Sequence, residues 1–485
     1  MRVLFIYSNT LTDLLPAPPI GLSYVASATA DAGHEVKVMD LLMARDRDPD
    51  LRRILERFKP QVIGLSVRNI DNLVHQRLES NLDALVKQLK VIRSASDAAV
   101  VLGGPAISIL GANTLKTLAA DFAIIGEGEE SFPRFLRELE GARRFSRVPG
   151  LCIREGERIV CVPPQAPARF GSSGMERWVD WRPYQRRGAT WSIQAKRGCP
   201  LQCTYCVYGA VEGQCIRKRA PEDIVDEIER VAKTVNPRCF EFVDSTFNLP
   251  PSHAKAVCEE IIRRGLKVRL TTMGFNPLGA SKELFSLMKR AGFNSLMITP
   301  ESASDIILEN MRKGFDAAHV HRCAELARRA GLASMWFFML GAPGETRKTV
   351  EQTVSFVERH LNWRRCLAMF TTGIRILPRT ELARQSEASG YLRPGQDLTR
   401  PVFYFSPHVS EAWMLRRVSQ AIAHLPNIVH AAEDSHPRSR AITDRVHRLY
   451  YHLGVSPPYW RFLPALLRLP PLPRLRALAA ARNRA

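Results

Sequence analysis

Residues 196–209 read KRGCPLQCTYCVYG and bring three cysteines together at the spacing C-x3-C-x2-C, as Cys199, Cys203 and Cys206. Three thiolates at such spacing can each hold one iron of a cubane four-iron four-sulfur cluster, which leaves the fourth iron open to a small ligand. A ferredoxin that only transfers electrons normally closes that position with a fourth cysteine, and Cys215 is the nearest spare thiol. A structural zinc is the alternative use of such a set. Zinc sites favour paired C-x2-C or Cys/His knuckles, however, and no second knuckle follows here.

The elements that must position this loop come in two alternating series. From residue 1 to about 140, short apolar runs (VLFIY, VKVMD, VIGLSV, AVVLGG, FAIIGEG) alternate with helical patterns such as IGLSYVASATADAG. That alternation predicts a doubly wound, Rossmann-like parallel sheet with helices on both faces. Ligands of such sheets sit at the carboxyl ends of the strands, which here carry Ser8 to Thr12, Ser66 to Asn69, Gly103 to Pro105 and Gly126 to Glu129. Residues 141–189 lose the alternation and gather Pro, Gly and Arg (VPPQAPARFGSSG), which reads as an ordered linker. A second series, TWSIQA, RCFEFVD, KVRLTTM, SLMIT, ASMWFFML and TTGIRIL, spans 190–400 and predicts a (β/α)6 partial TIM barrel with its chemistry at the strand ends. The cysteine loop follows its first strand. Residues 401–485 read as a small helical C-terminal region with a basic tail, since ten Arg face one acid, Asp444, after position 437.

With 485 residues, 45% apolar and 24% charged, the chain has the balance of a folded globular protein of two or more domains. No apolar run is long enough to span a bilayer and the start reads as a buried strand, so the expected compartment is the cytoplasm. Ten scattered cysteines then favour reduced thiols or metal ligands over a disulfide framework. The formal charge of +21 is spread over several segments without a recognisable nucleic-acid module, so no nucleic-acid partner is expected. The Leu- and Arg-rich tail suits weak peripheral contact with an anionic membrane or a carrier protein, or simply a frayed helical cap.

On the cysteine loop, with Tyr205 before its last cysteine, and on FVDSTFN, PESASDIILENMRKGF, MLGAPGET and ILPRTEL at successive strand ends, the sequence resembles the radical S-adenosylmethionine superfamily. It resembles most the branch with an N-terminal cobalamin-binding domain. The resemblance implies that Cys199, Cys203 and Cys206 ligate a 4Fe-4S cluster, with the open iron left to S-adenosylmethionine rather than to Cys215. It places Tyr205, Asp244, Glu301, Gly341 and Gly344 around that cosubstrate. It also implies cobalamin contacts from Thr10, Ser66, Arg68, Asn69, the GGP turn (Gly103, Gly104, Pro105) and the GEGE turn (Gly126, Glu127, Gly128). Two departures stand out: Arg379 replaces the glycine of the sixth-strand pattern, and no D-x-H-x-x-G motif follows the first strand, which has Asp13 but no His. Arg68 or Asn69, not a histidine, would then face the lower side of the corrin. The implied activity is methyl transfer to an unactivated carbon or phosphorus centre through methylcobalamin and a 5′-deoxyadenosyl radical, with a flavodoxin- or ferredoxin-type electron donor and a small-molecule or carrier-bound substrate. Cyclisation, rearrangement or oxidation without methyl transfer is the rival use of the same parts.

Overall fold

A computed structural model describes residues 1–10, 16–434 and 437–468. Asp13 and the basic end of the chain from residue 469, with most of the segment read as a membrane or carrier contact, lie outside the described residues. Among the described residues no helix is long and apolar enough to cross a membrane.

Five apolar runs form the parallel strands β1 (Arg2–Tyr7), β2 (Glu35–Asp40), β3 (Val62–Ser66), β4 (Ala99–Gly103) and β5 (Phe122–Ile124), in the order β2-β1-β3-β4-β5. This order reverses direction between β1 and β3, so the crevice for a ligand opens at their carboxyl ends. β1 is buried along all but its first residue, as a strand covered on both faces requires.

The segment 141–189 does more than connect. It adds an antiparallel hairpin, β6 (Leu151–Glu155) and β7 (Arg158–Cys161), to the edge of the sheet. It then wedges Met175, Trp181 and Tyr184 into the core shared by both domains. Trp181 stacks on Tyr184, meets Trp191 edge-on, and the Tyr184 hydroxyl donates to Asp40 at 2.7 Å. One cysteine pair departs from the expectation of reduced thiols: the hairpin register sets Cys152 opposite Cys161, with Cα atoms 4.1 Å apart, and the two form a disulfide.

The second domain is the expected open parallel barrel. Its first five strands are Trp191–Ile193, Phe240–Phe242, Leu270–Thr272, Ser295–Glu301 and Ala333–Leu340. The sixth differs from the reading. It is Cys366–Thr372 (CLAMFTT), and the stretch beyond Gly373 turns into a short antiparallel pairing of Ile374–Arg375 with Phe403–Tyr404. Gly373 takes φ +80°, and a Cβ there would lie 2.5 Å from the Phe405 ring, so the strand cannot run on through it with a side chain. A seventh parallel strand, Ile428–His430, comes from the C-terminal region, which is otherwise helical. In the fifth strand Trp336 and Phe338 turn outward onto Phe356 of the helix Arg347–His360. Phe337 and Met339, alternating with them, face the barrel interior.

Polar ties hold the two domains together. Arg375 pairs with Asp71 at 2.9 Å, with both side chains almost fully buried. Arg379, at φ +66° in place of the expected glycine, donates to the Ser108 carbonyl at 2.8 Å across the interface.

Candidate functional site

After the first barrel strand, Lys196–Arg197 pairs antiparallel with Arg217–Lys218 and pinches the base of the cysteine loop. Gly198 (φ +88°) is required at the pinch: a Cβ there would sit 2.2 Å from the Cys215 carbonyl oxygen. Within the loop, the Cys199 amide donates to Gly213 O (3.1 Å) and the Cys206 amide to Cys203 O (3.1 Å). Thr204 anchors the middle, its amide donating to Met311 O (3.0 Å) and its carbonyl accepting from the Leu382 amide (2.8 Å). None of these bonds uses a thiol.

Cys199, Cys203 and Cys206 are free thiols, the first buried and the others half-buried. Burial raises the pKa of all three, that of Cys206 to about 12. They therefore need metal to become thiolates. The donor set fits a cubane cluster, since three thiols on one pinned loop offer one ligand to each of three irons and need not converge on a point. Among the described residues no three His, Cys, Asp or Glu side chains could hold a single metal ion. Cys215 is exposed.

Beside the loop, Tyr205 donates its hydroxyl proton to Glu301 at 3.1 Å. Glu301 ends the fourth strand with φ +68°, a left-handed backbone rarely adopted by a glutamate. The third member, Lys313, is one that the sequence reading does not single out. Its ammonium lies 3.0 Å from the Tyr205 hydroxyl, 3.1 Å from Thr299 O and 3.6 Å from Glu301. A charged residue between Met311 and Phe315, both buried, is the signal available in the sequence.

Asp244 is an internal anchor behind the cysteine loop. Its carboxylate accepts from the amides of Ala195 (2.7 Å) and Lys196 (3.1 Å) and pairs with Lys196 Nζ (3.4 Å), and its side chain is fully buried. Gly341 (φ +100°) and Gly344 (φ +77°) shape the turn after the fifth strand. Glu345, also not foreseen, binds that turn from beneath by accepting from the amides of Gly341 (3.1 Å) and Ala342 (3.3 Å), and its burial pushes its pKa up to about 7.

In the first domain the crevice loops are stitched together: Thr10 donates to Asn81 (3.3 Å), Asn81 to Asn69 O (2.9 Å), and Ser8 to Ser66 O (3.0 Å). Gly104 (φ +95°) passes so close to the next loop that a Cβ would lie 2.7 Å from Val67 O, and Pro105 then starts a helix. The Gly126 amide donates to Ser108 Oγ at 2.9 Å, and Gly128 packs on Val25. Both oxygens of Glu127 are bound by Arg197 and Arg217, so it clasps the two domains at the GEGE turn. Arg197 also binds Glu129 (2.6 Å) and stacks on Tyr24 and Phe170. Arg68 is exposed in the loop after β3.

The two sites adjoin. The helix Tyr208–Val211, immediately after Cys206, packs on the helix Pro105–Leu110 that follows the GGP turn, and Val207 and Val211 join the core of the first domain.

Two family models match this chain in tandem, the B12 binding domain over residues 10–136 and the radical SAM superfamily over residues 193–357. The chain therefore joins a B12 binding domain to a radical SAM superfamily domain. One relative, the tryptophan 2-C-methyltransferase of Streptomyces laurentii, is 25% identical over 438 residues, covering 76% of this chain and 72% of its own. An uncharacterized methyltransferase of Pyrococcus horikoshii is 25% identical over 354 residues, covering 70% of this chain and 73% of its own. In fold, the chain is similar to the radical S-adenosylmethionine methyltransferase TsrM of Kitasatospora setae, solved with cobalamin and a [4Fe-4S] cluster bound. The TM-score is 0.82 at 22% identity, over 99% of both chains.

Proposed function

We propose that this protein is a cobalamin-dependent radical methyltransferase that places a methyl group on an unactivated carbon or phosphorus centre of a small or carrier-bound molecule. The observation that carries this reading is the direct packing of the cysteine loop's helix on the helix of the GGP turn, which sets a thiol-rich site and a corrin-type crevice side by side. When bound, a cluster with an open iron supplies reductive cleavage of S-adenosylmethionine, and a corrin supplies methyl carriage.

The chain's own residues do the positioning. Cys199, Cys203 and Cys206 would hold the cluster. Tyr205, Glu301 and the Gly341–Gly344 turn shape the cosubstrate's side of the cavity, while Asp244 and Glu345 lock the backbone behind it. Phe337 and Met339, half-buried and facing the barrel interior, give the cavity an apolar wall that excludes water from reactive intermediates. A flavodoxin- or ferredoxin-type protein would supply electrons, which suits a cytoplasmic enzyme.

Arg68 offers the corrin site a permanent cation that cannot donate a lone pair to a metal. Arg68→Ala is expected to leave iron content and corrin binding near normal while slowing formation of S-adenosylhomocysteine by roughly tenfold, ~1.4 kcal/mol in barrier. An unchanged rate would remove this role from Arg68.

The function is tested by feeding methyl-labelled S-adenosylmethionine to extracts of the source cells supplemented with reduced, cofactor-loaded protein. Label should enter a metabolite only with the unsubstituted protein and not with a variant lacking the three cysteines. Equal labelling with both would overturn the proposal.

A further inference from the structure

Lys313 is only 4% exposed. An ammonium placed there carries a desolvation penalty that only close partners can offset. Its partners are all at the site: the Tyr205 hydroxyl, the Thr299 carbonyl and the Glu301 carboxylate. Tyr205 stands between Cys203 and Cys206 in the chain, and Glu301 closes the fourth strand. The Lys313 ammonium also lies 5.5 Å from the centre of the Tyr205 ring and 5.7 Å from that of Phe315. Its place in the turn after the helix Asp305–Asn310 is fixed by backbone bonds, the Lys313 amide donating to Leu308 O at 3.0 Å. A charge so held cannot swing out to solvent.

We propose that Lys313 is a positioning residue which clamps Tyr205 against Glu301 and, through its buried positive charge, raises the reduction potential of the cluster on the Cys199–Cys206 loop. This rests on the cluster assignment made above. Reduction adds one electron, and so one negative charge, to the cluster, with no bond formed or broken. A buried cation stabilises that added charge far more than a solvated one does, because little water intervenes to screen it. Glu301 opposes it. A merely structural ion pair would hold the loop without giving the potential a sign that follows charge.

The test is a dithionite titration of the full-length, anaerobically reconstituted protein, with the reduced cluster followed by electron paramagnetic resonance in the absence of S-adenosylmethionine. Lys313→Met should move the midpoint to a more negative potential, with the reduction equilibrium falling on the order of tenfold, ~59 mV for a one-electron couple. Lys313→Arg, which keeps the charge, should restore most of it, and Glu301→Gln should move the midpoint the other way. Shifts of the same sign in Lys313→Met and Glu301→Gln, or no shift in either, would overturn the proposal. Should Lys313→Met fail to hold a cluster, Glu301→Gln decides alone: a rise supports the role, and an unchanged or lower midpoint refutes it. Absence of a cluster from the unsubstituted protein overturns the underlying reading as well, whereas a cluster whose potential ignores both substitutions overturns this inference alone.

Discussion

Replacing Cys199, Cys203 and Cys206 together by Ala is expected to empty the protein of cluster iron and sulfide and to abolish reductive cleavage of S-adenosylmethionine. The loop should keep its shape in this variant. Its base is pinned by the Lys196–Arg197 pairing with Arg217–Lys218, its corner by Gly198 and its middle by Thr204, and none of these contacts passes through sulfur. Loss of the broad visible absorption with an unchanged circular dichroism spectrum is therefore the expected pair of results. Cys215→Ala is the control. That thiol is exposed, and the backbone of Cys215 serves the loop through its carbonyl packing on Gly198, so the variant should hold a full cluster. A reconstituted four-iron cluster in the triple variant would contradict the assignment.

The second large effect is expected at Asp244. Substitution by Ala removes the acceptor for two buried amides and strands the Lys196 ammonium, itself almost fully buried, without its carboxylate. Breaking a buried pair on one side typically destabilises a protein by ~3–5 kcal/mol, because the remaining charge stays desolvated. Asp244→Ala should therefore lower the urea midpoint of the barrel and reduce cluster content, since Ala195 and Lys196 lead directly into the cysteine loop. Removing both charges, as Asp244→Asn with Lys196→Met, should recover much of the lost stability, because neutral groups of similar size leave no uncompensated charge. A single variant whose stability lies within ~0.5 kcal/mol of the unsubstituted protein would show that the pair is not structural.

Strand periodicity makes both domains legible in the amino-acid sequence, and the cysteine spacing marks the candidate loop, because each depends on residues close together along the chain. The features that escape a sequence reading depend on distant partners. CLAMF and TTGIRIL are similarly apolar candidates for the sixth strand, and only the Phe405 ring, some thirty residues on, crowds Gly373 and forces the turn that decides between them. IVH is too short to announce a strand amid helices, and it becomes one by pairing with Ala368–Phe370. Glu127 reads as a ligand contact because it sits in a strand-end turn. Its two arginines come from positions 70 and 90 residues later, and nothing local reveals them. The anchoring role of Asp244 is hidden in the same way, since its amide partners lie nearly fifty residues upstream. Lys313 stands within a stretch that carries the family resemblance, yet its importance follows from burial, which the sequence hints at only through the flanking Met311 and Phe315.

The central claim, methyl transfer by a radical enzyme, is tested most directly by quantifying the two nucleoside products of S-adenosylmethionine. The assay uses anaerobic, cobalamin- and cluster-loaded protein supplied with a reductant and the labelled metabolite's unmethylated precursor. The account predicts that S-adenosylhomocysteine and 5′-deoxyadenosine appear together, both dependent on the reductant and both absent from the triple cysteine variant. Formation of 5′-deoxyadenosine with no S-adenosylhomocysteine would contradict methyl transfer and assign the same machinery to ring closure, rearrangement or oxidation.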